Sequence, residues 1–347
     1  MRKLLLIVLL YATSLSAQTL ECHHLATWGA RGSSRDFLVA GNRVYAADGR
    51  GVTLYDISNP AIIRVIASRE TSRPSVTVTP AGDGVAILSE NHIDLFDAGL
   101  NLLDSVDIRA PHIASNGRIL VSAGDALTLW DVSGGRLEKI SSIPLTTRIN
   151  ALGLLGTEVF LAQNESFTDV YEVSNRSLRR LATLPLTAGS FAAAGVRVYA
   201  ISGGNVTVVD TASATPSVVG RLSFADSLLQ SGAIVGNILF VVDRFTSVMA
   251  IDISDPQNLR VAVTITMPIR AIAASGDTVV TSEVLLDQNG FTAETSQPLT
   301  VFRASGAQLQ ELGSFHDFAG PLGGVAINGR YAFVADAPMF RVLDITT

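Results

Sequence analysis

Two sets of acidic residues recur along the chain and are its first candidates for chemistry. One set is Asp56, Asp97, Asp131, Glu172, Asp210, Asp252 and Asp344, each closing a short apolar run. The second is Asp48, Glu90, Asp125, Glu165, Asp243, Glu283 and Asp336, each just after the apolar run before it. Arg35, Arg73, Arg109, Arg148 and Arg270 lie between successive units. Converging carboxylates can bind a cation or share acid and base roles. Alternated with arginines, they can hold a polar or ionic ligand. A plainer role competes with each. A carboxylate at a strand end can accept the amides of the following turn, and that is the role expected of the first set. Exposed acid–arginine pairs can simply neutralise one another, for about 0–1 kcal/mol a pair. The second set carries the candidate binding site: Asp48, Glu90, Asp243, Glu283 and Asp336, with Arg35, Arg73, Arg148 and Arg270. Because these acids sit on loops, replacing Asp48, Glu283 or Asp336 by alanine is expected to leave folding intact.

Other reactive groups assemble into nothing recognisable. Cys22 stands beside His23 and His24, but neighbours on a strand point to opposite faces and a metal needs three or four converging ligands. No metal site, catalytic residue or cofactor is assigned. His92, His112 and His316 are scattered, and Gly203-Gly204 reads as a hairpin turn, not a phosphate cradle. Glu283 to Pro298 is a polar insertion; its Asp287, Asn289 and Glu294 lack the spacing of a calcium loop, and a lid or partner contact is expected there.

The chain has 347 residues, a formal net charge of −6 and a hydrophobic fraction of 48%. That is enough for a large core, and the absence of a basic block argues against nucleic acid. Only Lys3 and Lys139 are lysines, a skew best read as genomic composition. Arg2 and Lys3, then Leu4 to Leu10, then Ser14 to Ala17 have the order of a secretory signal over residues 1–17. Its apolar stretch is short for a membrane span, and no later segment is long enough. A secreted, periplasmic or cell-surface protein is expected, and a monomer. With one cysteine there is no internal disulfide.

The elements that must position these residues are repeated. Turn glycines fall at Gly41, Gly82, Gly117, Gly156, Gly195, Gly236, Gly276 and Gly329. Around each, the sequence reads as four short antiparallel strands joined by turns, with Gly41-Asn42 a favoured hairpin pair. The second and third strands are apolar on both faces, as in Val85 to Leu88 and Ile238 to Val242, so each sheet must be covered on both sides. Four-stranded repeats of about 40 residues achieve this by standing radially as the blades of a β-propeller. Eight units supply three strands, but the last ends without a fourth. Leu20 to Trp28 is an extra strand that can complete it and close the ring. The reading is an all-β chain: a single propeller domain over residues 18–347, with eight four-stranded blades fastened by the N-terminal strand. Seven blades are the alternative, with the irregular seventh unit an excursion. A further one is that Thr347 is not the natural end.

Three units carry a more specific signature: Val44 to Pro60 (VYAADGRGVTLYDISNP), Leu239 to Pro256 (LFVVDRFTSVMAIDISDP) and Tyr331 to Thr346 (YAFVADAPMFRVLDIT). These resemble the LVIVD-repeat family of bacterial and archaeal β-propellers, in which a tyrosine-containing strand, an Asp-containing turn and a "viDvS-x-P" exit follow one another. The second to fifth units match loosely, and the seventh departs most. The resemblance implies an exported or surface propeller and transfers no catalytic residue. The expected function is non-enzymatic: a scaffold that binds a protein or glycan partner through its loop-rich face. The alternative is a hydrolase or lactonase-like propeller with its site at the mouth of the central channel.

Overall fold

The computed structural model describes residues 21–29, 35–48, 51–71, 73–164, 166–243, 246–283, 285–286, 292–293, 299–315, 324–328, 331–336 and 339–346. For 21–29, 283–293, 315 and everything beyond, the description is of the backbone alone. The chain divides into two compact units, Arg31–His316 and a second made of Met1–Ala30 with Asp317–Thr347.

The larger unit is a seven-bladed β-propeller. Each blade is a four-stranded antiparallel sheet whose strands follow in chain order from the inner to the outer edge. Blade 1 is typical, with strands Asp36–Ala40, Arg43–Ala47, Gly51–Asp56 and Arg64–Glu70. Its first turn works because Gly41 takes the left-handed φ of +60° that a tight hairpin needs. In blade 7 the second strand, Thr278–Glu283, pairs directly with Leu299–Ser305. The intervening insertion forms a small hairpin of its own, with Leu285–Leu286 against Thr292–Ala293.

Two-sided burial is visible residue by residue. Tyr45 and Ala47 of the second strand, with Val52 and Leu54 of the third, pack against Val85, Ile87 and Phe96 of blade 2. Their alternating neighbours Val44, Ala46 and Tyr55 turn to the other face and pack against Val280, Leu299 and Val301 of blade 7. Fully burying a Val, Leu or Phe is worth about 1.5–3 kcal/mol, and here the burial exists only when both adjacent blades are present. Seven such clusters join each blade to the next around the circle.

The cluster shared by blades 7 and 1 corrects the count of eight. The ring closes when Phe37, Val39 and Val44 of blade 1 meet Ala271, Val280 and Leu299 of blade 7, so seven blades complete it. The eighth repeat is real as a sheet. Glu21–Gly29 pairs antiparallel with Met339–Thr346, followed by Tyr331–Asp336 and Gly324–Asn328, so the N-terminal strand does supply the missing fourth strand. That sheet belongs to the smaller unit, and the cluster that closes the ring is made of residues of blades 1 and 7. Repeat number is written in the sequence; how many repeats enter one circle depends on how closely adjacent faces pack, which is not.

Every third-to-outer strand pair of the ring carries one register shift, at the same repeat position. The extra residues are Ile66, Leu103, Ile140, Leu181, Val219, Ala262 and Leu312, one per blade. Such bulges twist and interrupt an outer edge, which protects it from pairing with other chains. In two blades the residue next to the bulge is a glycine. Gly220 of blade 5 lies under Pro256 of blade 6, and Gly313 of blade 7 lies under Pro60 of blade 1. Each Ser-x-Pro exit therefore meets the adjoining blade at a position that has no side chain. Asn59 shapes one of them by accepting the Ala61 amide at 3.2 Å.

Candidate functional site

The connections from outer to next inner strand, and the turns from second to third strand, share one end of the ring. The candidate acids and arginines of the ring lie at that end, and the structure ties most of them into local bonds. Asp48 is buried. Its carboxylate accepts the Gly51 amide at 3.0 Å and the Thr53 hydroxyl at 2.5 Å, which shapes the turn and anchors the third strand. Arg73 donates to the Glu90 backbone carbonyl at 3.0 Å, so these two meet through the main chain. Asp243 accepts the Leu228 amide at 2.8 Å and its carbonyl accepts the Thr246 amide. Arg35 and Arg148 are exposed. The Arg35 amide donates to the Ala47 carbonyl, and the Arg148 carbonyl accepts the Asn164 amide. Arg270 is the extra residue of a bulge between Ile269 and Ala271 at the start of an inner strand. Arg109 and Asp125 form an acid–arginine pair as expected, 3.9 Å apart and with both side chains more than three-quarters exposed. Glu165 lies outside the described residues, as do the side chains of Glu283 and Asp336. By backbone, Glu283 ends the second strand of blade 7 opposite Ile269. Asp336 stands opposite Met339 in the separate sheet, not in the ring.

The strand-end acids lie at the opposite end and serve as turn acceptors. Asp56, Asp97, Asp131, Asp210 and Asp252 each accept the amide two residues on, at 2.8–3.0 Å. At Asp56, Asp97, Asp131 and Asp252 these bonds favour the ionised form. Hydrogen bonds from Ser58 and Asn101 hold Asp56 and Asp97 below the usual carboxylate range, and those from Ser254 hold Asp252 at about 2. Glu172, with one more methylene, instead reaches Arg179 at 2.7 Å.

Two further polar features escaped the sequence reading. The first is a buried polar position inside the third strand, three residues before the strand-end acid in Thr53, Asp94, Thr128, Asp169 and Thr207 and three before Arg303 in Thr300, with Met249 the exception. Thr53 and Thr128 meet the hydroxyls of Ser68 and Ser142 on the outer strand at 3.0 Å. Asp169 accepts from Gln163 at 2.7 Å and Thr183 at 2.5 Å. Asp94 faces His92 at 3.0 Å, whose other ring nitrogen faces Asp107 at 2.9 Å. Burial raises the Asp94 carboxyl, and His92 opposes the rise. The signal was available as a polar residue inside six of the seven apolar third strands of the ring. The second feature is the first residue of the inner strands of blades 1 and 3, Asp36 and His112. Asp36 accepts the Phe37 and Val78 amides at 2.9 and 3.0 Å. The His112 Nε2 lies 3.3 Å from the Ile149 carbonyl, and burial lowers its basicity. Their partners are backbone groups, and the two are not bonded to each other.

Among the described residues, no three His, Cys, Asp or Glu side chains are placed to hold a metal ion, and no helix is long and apolar enough to cross a membrane. Among the described residues, this end of the ring offers acids bonded to their own turns, as at Asp48 and Asp243, with the exposed Arg35 and Arg148 between blades.

Comparison with known proteins agrees with the fold. The LVIVD repeat model matches residues 31–71, 230–265 and 319–346. No curated protein matches the chain in sequence. Among solved structures, the computationally designed protein Ika8 is 15% identical with a TM-score of 0.62, covering 91% of this chain and 98% of its own. PorZ of Porphyromonas gingivalis, an essential bacterial surface component of the type-IX secretion system, is 13% identical with a TM-score of 0.58. The likeness to PorZ covers 90% of this chain but 42% of PorZ, so this chain spans less than half of that protein. A chain of the mitotic checkpoint complex is 15% identical with a TM-score of 0.60, covering 77% of this chain and 94% of its own. At such identities the likeness is one of fold. The chain is a β-propeller that carries LVIVD repeats.

Proposed function

We propose that this protein is an exported, non-enzymatic scaffold that binds a protein or glycan partner through the end of the ring bearing the second-to-third-strand turns. The observation that carries the reading is the insertion between Glu283 and Leu299. It leaves the ring at that end and makes a hairpin of its own, while blade 7 pairs across its base without interruption. A long loop on a packed scaffold is the usual place for recognition. Export rests on the charged start at Arg2 and Lys3, the apolar Leu4 to Leu10 and the small residues before Gln18. PorZ at a bacterial surface and a checkpoint chain within a multi-protein complex are settings consistent with such a role. The lactonase-like alternative calls for three converging donor side chains at the channel mouth.

The test compares the full chain with a variant in which residues 284–298 are replaced by Asn-Gly, on a glycan array and against immobilised envelope proteins. Binding by the full chain and its loss in the variant, with an unchanged melting temperature, supports the reading. Equal binding by both sinks the role of the insertion. Turnover of a lactone and ester panel by the full chain would favour the enzyme instead. Mass spectrometry of the exported protein should find its N-terminus at Gln18.

A further inference from the structure

We propose that the outer wall of blades 1 and 2 is a dimer surface, on which a second copy of this chain docks about a two-fold axis. Nine large apolar side chains are exposed among the described residues, and five of them lie here: Ile62, Val65 and Ile66 of blade 1, with Leu102 and Leu103 of blade 2, each 40–59% exposed. They share one end of the wall. Val65 stands opposite Tyr55 and Leu102 opposite Phe96, the residues just before the strand-end acids Asp56 and Asp97, and the bulge residues Ile66 and Leu103 follow. Ile62 ends the turn that leads into the first of these strands. Apolar residues scattered singly over a surface are ordinary, but five gathered on two adjacent blades mark an interface.

The other blades show what the wall carries elsewhere at these positions. The residue before the bulge is Lys139 in blade 3, Arg180 in blade 4 and Glu311 in blade 7. Blades 5 and 6 have the exposed Val218 and Val261 there, but each stands alone. The bulge residue after Val218 is the half-buried Val219, and that after Val261 is the small Ala262. Blades 1 and 2 alone in the ring have both positions large, apolar and exposed.

Charge selects the occupant. The outer strand of blade 1 carries Arg64, Arg69 and Glu70, a net charge of +1, and that of blade 2 carries Asp104 and Asp107, a net charge of −2. Arg64 and Arg69 are exposed, and Asp107, bonded to His92 at 2.9 Å, is 87% exposed. Asp104 is half-buried and accepts the Leu137 amide at 2.8 Å. A two-fold contact lays a patch on its own reverse, so what one half offers the other half must accept. With blade 1 of one copy on blade 2 of the other, aliphatic meets aliphatic and arginine meets aspartate, twice over. Blade 1 on blade 1, or blade 2 on blade 2, would set like charges together. The bulges in both strands keep the edges from joining as one continuous sheet, so the contact is made by side chains. This pairing takes the place of the expected monomer. It lies at the end of the ring away from the second-to-third-strand turns, so it stands apart from the partner proposed for those turns.

The deciding experiment is sedimentation velocity of the full exported chain at about 1–100 μM, the weak end of the affinities such interfaces span. A shift from monomer to dimer across that range is expected. Ile66→Asp puts an acid on the half that meets acids, and Leu103→Arg puts a cation on the half that meets arginines. Symmetry enters each change twice, so each variant alone should dissociate about tenfold more readily or worse. Mixed one to one, the two variants should dimerise again, because the new acid then faces the new cation while the other half of the contact is native. If a charged variant melts early, Leu102→Ser gives the second reading and should also weaken the dimer. A native chain that stays monomeric throughout overturns the proposal. So do variants that dimerise as the native chain does, or a mixture that stays apart.

Discussion

Replacing Gly313 by alanine tests how the ring is closed. Gly313 lies on the outer strand of blade 7, and a Cβ built there would stand 1.8 Å from the Pro60 carbonyl oxygen of blade 1 and 2.6 Å from its carbon. Ordinary contact begins near 3.5 Å, so one methyl group demands that blades 1 and 7 separate locally by about 1.5 Å. The obstacle is backbone, so no side-chain rotation relieves it. Overpacking of this kind costs about 1–3 kcal/mol. Taking about 2 kcal/mol, and about 2–4 °C per kcal/mol for a domain of this size, the melting temperature should fall by about 4–8 °C. Urea unfolding followed by tryptophan fluorescence and calorimetry would measure it. Gly220→Ala meets Pro256 at 1.8 Å in the blade 5–6 seam and should cost about as much. Gly134→Ala is the control: nothing lies within 4 Å of its Cβ, and its φ is not left-handed, so it should stay within about 0.5 kcal/mol. If Gly313→Ala melts with the native protein and with the Gly134 control, the Pro60 exit does not press on blade 7 and the closure argued here is wrong.

Two further substitutions separate the acids at the loop-rich end. Asp48→Ala should destabilise the ring by about 1–3 kcal/mol, because it strands the Gly51 amide and the Thr53 hydroxyl in a buried turn; its urea midpoint should fall, and an unchanged midpoint would return Asp48 to the exposed loops. Arg109→Ala should leave stability within about 0.5 kcal/mol at any salt concentration, since the pair with Asp125 is long and solvated; a larger loss on thermal melting would mean the pair is structural.

What could be read from the residues, and what could not, divides along a physical line. Short-range chemistry was legible. Strand-end aspartates accept amides two residues away, and the turn at Gly41 takes positive φ, because each depends on a handful of consecutive residues. The polar residue inside most third strands was legible too, as Asp94 and Asp169, but its role depends on an outer strand, which brings Thr183 against Asp169 and Asp107 against the His92 that faces Asp94.

Local pattern and antiparallel register were enough for the repeat, the four-stranded sheet, its two apolar faces and the pairing of Glu21–Gly29 with Met339–Thr346. Tertiary structure alone decided that seven sheets close the circle, that Asp48 is buried, and that one carboxyl at Asp36 spans two blades. Closure is a property of how adjacent faces fit, summed around a ring. Burial and pKa depend on which distant segment arrives beside a residue. Neither quantity is carried by any window of the chain.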